Sequence, residues 1–252
     1  MYWSRVVQQG NSLLVFKWGN PVTVHRLDLS DPEKPHCTAL LELYKRASGF
    51  AVANYKDLLV YLTGSSGEVG KFCQIYDIIE NSWKDGPALC HARYNHASMC
   101  LGYNVYVFGG VKVGSIETHR AGSEDGWKVL YQTTRLTNRF LPAIAVIRPN
   151  TIAIFGGYRD GYNMKDGYIF DTKQKSVKPL QGNHTENLEV EFSSHVKQIS
   201  SKSFVTVGVE ADGKINLVQI DLGSVDSANP DDSNGNDECF SARSVKNFGK
   251  NL

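Results

Sequence analysis

The chain has 252 residues, long enough for one or two domains, and its 41% apolar and 21% charged side chains can cover several sheet faces, which excludes a globally disordered chain. Lys and Arg number 27 against 26 Asp and Glu, balanced in both halves, so no basic footprint points to nucleic acid or an anionic membrane as a partner. The opening MYWSRVVQQGNS lacks the apolar core of a secretory signal and no stretch approaches the roughly 20 apolar residues of a membrane span, which makes the cytoplasm the expected compartment.

In chain order, five similar units are expected, each a β-branched and aromatic run closed by a glycine, a polar loop, and a second alternating strand near an acidic residue. The first has VFKWG ending at Gly19 and VTVHRLDL at 22–29. The second opens near Arg46, runs VYLTG to Gly64, crosses a Gly-Ser loop with Ser65, Ser66 and Glu68, and continues as KFCQIYDI at 71–78 and a short strand at Trp83. The third opens at Arg93, Tyr94 and Asn95, runs YVFGG through Gly109 to Lys112, and has a weaker second strand, SIETHR at 115–120, before Trp127. The fourth opens at Arg139, runs AIFGG through Gly156, and carries the longest loop, YRDGYNMKDG at 158–167, before GYIFDT at 167–172. The fifth has VTVG ending at Gly208 and INLVQIDL at 215–222. Residues 223–238, acidic and almost without apolar side chains, read as a flexible excursion within this last repeat. CFSARSVK at 239–246 then alternates like a strand, returning as the outer strand of the last unit or pairing with the N-terminus.

The glycines lie 45, 45, 47 and 52 residues apart. A period near 50 built from strands implies an all-β radial array of small sheets, because one such sheet cannot bury both faces alone. Tyr106, Phe108, Phe155, Trp83, Tyr76 and Phe170 are then core, and Asp77 and Asp171 cap turns. Five cysteines, Cys37, Cys73, Cys90, Cys100 and Cys239, suit reduced thiols, with a Cys90–Cys100 pair as the alternative. The one sequon, at Asn183, reads as coincidence.

The run ARYNHASMCLGYNVYVFGG at 92–110, with the recurring Gly-Gly, Tyr-Asp, Trp and Arg, resembles the Kelch-repeat β-propellers over residues 5–222. The resemblance implies one propeller of four-stranded antiparallel blades over residues 1–252, with five repeats visible, the ring closing with five blades or with a sixth that is degenerate or supplied elsewhere. Many Kelch proteins are substrate receptors of ubiquitin ligases and carry a BTB or F-box module ahead of the propeller. Here the chain opens within a few residues of its first blade, so a stand-alone scaffold or adaptor, a subunit of a larger complex, or a piece of something longer is expected.

Catalytic patterns find little support. GSSGEVGKF at 64–72 has Phe72 where a phosphate-binding loop needs Ser or Thr on the magnesium, and a strand follows where a helix should. His-Glu-x-x-His, Cys-x-x-Cys and Gly-x-Ser-x-Gly are absent, and His96 reads as a core or turn histidine before it reads as a base. No enzyme activity, cofactor or metal is therefore expected, and the resemblance favours a protein or peptide partner held on one loop face. Tyr158, Arg159 and Tyr162 lead the expected contact set, because Tyr and Arg dominate interface hot spots and these three do not recur with the repeat. Arg46, Arg93, Tyr94, Asn95, Arg139, Lys112 and Glu68 complete it, although periodic arginines equally suit internal carbonyl contacts. The alternative is a propeller enzyme or small-molecule sensor with a site at the channel mouth.

Overall fold

Each glycine-marked run becomes the second strand of a four-stranded antiparallel sheet. The structure, a computed structural model, describes residues 4–31, 33–67, 70–164, 166–180, 190–198, 200, 203–210, 215–224 and 238–247. The first blade is β1 (Ser4–Gln9), β2 (Ser12–Lys17), β3 (Thr23–Asp28) and β4 (His36–Ala39). The second is β5 (Ala51–Tyr55), β6 (Leu59–Thr63), β7 (Cys73–Asp77) and β8 (Ser82–Asp85). The third is β9 (Ala97–Leu101), β10 (Asn104–Phe108), β11 (Ser115–Arg120) and β12 (Lys128–Gln132). The fourth starts with β13 (Ala143–Arg148) and β14 (Thr151–Phe155). A small separate hairpin, β15 (Tyr158–Arg159) and β16 (Tyr162–Asn163), interrupts it before β17 (Gly167–Asp171) and β18 (Ser176–Leu180). The fifth is β19 (Val190–Gln198), β20 (Ser203–Glu210), β21 (Ile215–Ser224) and β22 (Glu238–Asn247). The fold is thus all-β, in the β-propeller arrangement of four-stranded antiparallel blades. Among the described residues no helix is long and apolar enough to cross a membrane.

Chain contacts divide the molecule into two compact units, Met1–Phe140 with three blades and Leu141–Leu252 with two. In the first unit, β1 approaches β5 and β5 approaches β9, so the first strand of each blade is innermost and the fourth is the free edge. Burial follows that order. β6, β10 and β14 share one pattern, a half-buried first residue and four buried ones, while all four residues of β4 are exposed. A strand covered on both faces needs apolar side chains at successive positions, which is why LVYLT, NVYVF and TIAIF hardly alternate and repeat so legibly.

Between the first two blades Leu14, Phe16, Val24, Phe50, Val60, Leu62 and Tyr76 form one cluster. There the Phe16 ring meets Tyr76 edge-on at 6.0 Å and Trp83 at 6.4 Å. A fully buried Phe contributes about 1.5–3 kcal/mol by removal from water alone. Between the second and third blades Tyr61, Leu89, Val105, Val107 and Trp127 do the same, and the Tyr61 hydroxyl accepts the Gly122 N–H at 2.8 Å. In the second unit Ile152, Ile154, Phe155, Phe170 and Phe204 are buried.

Turn chemistry agrees with the sequence. Asp77 Oδ1 accepts the backbone N–H groups of Ile79 and Glu80, and Asp171 Oδ1 those of Lys173 and Gln174. Gly64 and Gly109 have φ of +66° and +61°, and a Cβ on them would lie 2.4 Å from the Arg93 carbonyl oxygen and 2.8 Å from that of Leu136. Both the left-handed backbone and the close approach require glycine. The outer glycines differ. Gly19 pairs as an isolated bridge with Ala47, and Gly208 lies inside β20 opposite Asn216, so the second strand of the fifth blade runs on past it. The strand at 239–246 returns as the outer strand of the last blade, because β22 pairs with β21. Of the expected acidic excursion, Gly223, Ser224 and Glu238 belong to these two strands, and 225–237 lie outside the described residues, as do Asn183 and Glu68. Cys37, Cys73, Cys90 and Cys100 are free, so the alternative Cys90–Cys100 pair does not form.

Candidate interaction face

Loops that follow the second strands meet the segments that join one blade to the next at a single end of the first unit. Ser66 N–H donates to Ser48 O at 2.8 Å, and Ser48 N–H to Ser65 Oγ at 3.2 Å. Asn95 N–H donates to Gly49 O at 2.7 Å, and Val111 N–H to Tyr94 O at 3.2 Å. Lys112 N–H donates to Asn138 Oδ1 at 2.7 Å. Asn95, Lys112 and Asn138 all take positive φ, which Asn tolerates best among the chiral residues. Tyr94, Asn95 and Lys112 are therefore brought together, the first two half-buried and Lys112 exposed.

The expected arginines part company here. Arg93 and Arg139 are buried, at 1% and 0% exposure, and present no guanidinium to a partner. Arg93 Nη1 donates to Gly109 O at 2.8 Å and Ser115 O at 3.1 Å, and Nη2 to Ser115 Oγ at 2.7 Å and to Glu117 Oε1. Its role is to tie the blade-joining segment into the third blade. Arg46 is exposed instead. The bridge Gly19↔Ala47 matches Gly110↔Arg139, so Ala47 fills the buried slot and Arg46 is displaced from it by one residue.

Glu117, fully buried on β11, was missed by the sequence reading. It accepts the N–H groups of Cys90 and His91 at 2.9 and 3.1 Å, His91 Nδ1 at 2.9 Å, Ser115 Oγ at 3.2 Å, and the Arg93 guanidinium. Burial pushes its carboxyl up, but Arg93 and the converging donors outweigh this and hold it below the usual range. Ser, His and Glu in contact invite comparison with a hydrolytic triad. Such a triad needs the carboxylate on one ring nitrogen and the hydroxyl on the other, whereas Ser115 Oγ, at 3.2 Å, and Glu117 both meet His91 Nδ1. The cluster is an anchor for Arg93. Its only sequence signal is a glutamate inside SIETHR, the strand that looked weak because its buried positions carry Glu117 and His119.

His96 is fully buried, with Nε2 2.9 Å from Thr63 Oγ1. Burial, then the Arg93 and Arg5 charges, push its pKa well below 6.5 and hold it neutral. Among the described residues no group of three or more His, Cys, Asp or Glu is placed to hold a metal ion.

In the second unit Tyr158, Arg159 and Tyr162 come together on the β15–β16 hairpin, where Tyr158 pairs with Asn163 and Arg159 with Tyr162. Asp160 and Gly161, with φ of +52° and +92°, form the two-residue turn whose twist suits a hairpin. Met164 N–H to Gly157 O at 2.7 Å and Gly156 N–H to Asp166 O at 3.0 Å close its base. Tyr162 is 76% exposed, and Tyr158 and Arg159 are half-buried. The Asp-Gly between Arg159 and Tyr162 was the available signal for this hairpin. No protein-family model and no curated protein matches the chain.

Proposed function

We propose that this chain is a Kelch-like interaction module, a cytoplasmic scaffold or adaptor that binds a protein or peptide segment through its loops. The observation that carries the reading is the β15–β16 hairpin, an ordered two-rung arm that holds a largely exposed tyrosine opposite an arginine. A hairpin whose backbone is already paired has less freedom to lose on contact, which favours affinity for what its tyrosine and arginine touch. The recurrence of four-stranded blades around Gly-Gly, Tyr-Asp and Trp supports the Kelch comparison, and the geometry at His91 argues against reading the Ser115–His91–Glu117 contact as hydrolytic. The test compares proteins captured by the wild type and by the triple variant Tyr158→Ala, Arg159→Ala, Tyr162→Ala at matched thermal stability. Loss of one defined set is expected, and an unchanged set would reject the hairpin as the contact.

A further inference from the structure

Arg5 lies on the innermost strand β1, opposite Phe16, at the end of the blade where β2 runs into Trp18 and Gly19. It is 5% exposed. Its Nε donates to Phe50 O at 3.2 Å, Trp18 covers it with ring centroid and guanidinium carbon 5.2 Å apart, and Nη2 is buried with no partner. Arg93, also buried, has Glu117 as its counter-charge, whereas Arg5 has no carboxylate partner among the described residues. Burial accordingly pulls its pKa down to about 10. A buried guanidinium without a counter-charge is costly, and an anion brought to it would supply one.

One neighbour bears on this charge: His96, just before β9 and within reach of the Arg5 charge, has an unpartnered Nδ1. A planar guanidinium suits a carboxylate, which its fork grips with two parallel bonds. The covering Trp18 ring is half-buried and lies 6.0 Å from Phe50.

We propose that Arg5, under Trp18, is a carboxylate-binding site, occupied by an acidic side chain of a bound peptide or by a free small carboxylate. The peptide source rests on the interaction reading above; the site itself does not.

The experiment titrates sodium acetate against sodium chloride at constant ionic strength on the purified full chain, read by thermal melting and tryptophan fluorescence, with Trp18→Phe assigning the optical change. At about tenfold excess over its dissociation constant acetate should raise the melting midpoint by about 3–6 °C relative to chloride. Arg5→Met should lose that difference while melting no lower than wild type in chloride, because it removes an uncompensated charge and keeps an unbranched apolar stem. Arg5→Gln provides the same comparison should the Met variant fail to fold. Equal acetate responses in wild type and the Arg5 variants, or none in wild type, would overturn the site. With the acetate response in hand, at least a tenfold loss of partner capture by Arg5→Met identifies a peptide carboxylate as the source, and unchanged capture identifies a free one. Capture lost by the hairpin variant with no acetate response leaves the interaction reading intact and removes the carboxylate site.

Discussion

Arg93 and Arg159 are the same residue type in opposite circumstances, and the sequence marks both as contacts. Arg93 is sealed inside its unit, with all but one of its guanidinium nitrogens committed to the third blade and Glu117 as counter-charge. Arg159 sits half-buried on a two-rung hairpin whose turn consists of Asp160 and Gly161. One makes the fold and the other decorates it. Recurrence bears on the difference: Arg93 and Arg139 recur near the repeat period and are buried, whereas Tyr158 and Arg159, which do not recur, lie half-buried on the hairpin.

The largest effect that sharpens this contrast is Arg93→Met. It leaves Glu117 buried without its cation and should cost about 3–5 kcal/mol in denaturant unfolding. The double change Arg93→Met with Glu117→Leu removes both charges and should recover a large part of that loss, because the penalty belongs to the orphaned charge. A double variant no more stable than the single would mean that the hydrogen bonds to Gly109 and Ser115, not the ion pair, hold the joint.

Gly64→Ala comes next. Its Cβ would stand 2.4 Å from the Arg93 carbonyl at a φ of +66°, so about 2–3 kcal/mol should be lost. Gly161→Ala on the hairpin has a φ of +92° but nothing nearer than the Tyr158 hydroxyl at 3.9 Å, and only the backbone term of about 1–2 kcal/mol applies. Equal losses would show that the blade loop yields as readily as the hairpin.

A pH series breaks the buried region in a third way. His96 has a folded-state pKa depressed below 6.5, so below pH 6.5 the unfolded chain takes up a proton that the folded one refuses. Stability should therefore fall with pH from about 6.5 downward, by at most about 1.4 kcal/mol per unit from this group. Glu117, also depressed, contributes above its ordinary value of 4.5, and that contribution disappears as pH falls through the folded-state value. A His96→Gln variant should flatten the upper limb and leave the lower one; an unchanged upper limb would assign it to other groups, His119 first among them.

How much of this was legible depends on whether the cause is local. Strands covered on both faces must be apolar throughout, so β6, β10 and β14 announce themselves, and the Asp turns at Asp77 and Asp171 need only two or three following residues. Arg46 departs from the buried Arg93 and Arg139 because one residue decides whether a side chain near a turn points in or out, and Ala47 carries no signal that it holds the buried position. Glu117 finds its donors 24 to 27 residues away, on a joining segment whose path only the packed blades determine. The hairpin was readable in Asp160-Gly161 but lay in a stretch taken for a loop.

Tyr162→Ala gives the smallest stability effect. At 76% exposure the side chain forfeits little burial, so the unfolding free energy should move by no more than about 0.5 kcal/mol. Partner capture should nevertheless fall about tenfold or more if Tyr162 is an anchor, since truncating a hot-spot aromatic commonly costs 2 kcal/mol or more in binding. Arg93→Lys supplies the opposite pattern, a clear loss of stability from the broken fork geometry with capture unchanged wherever the chain stays folded. A Tyr162→Ala variant that loses stability but keeps its partners would invert the contrast and return the hairpin to the fold.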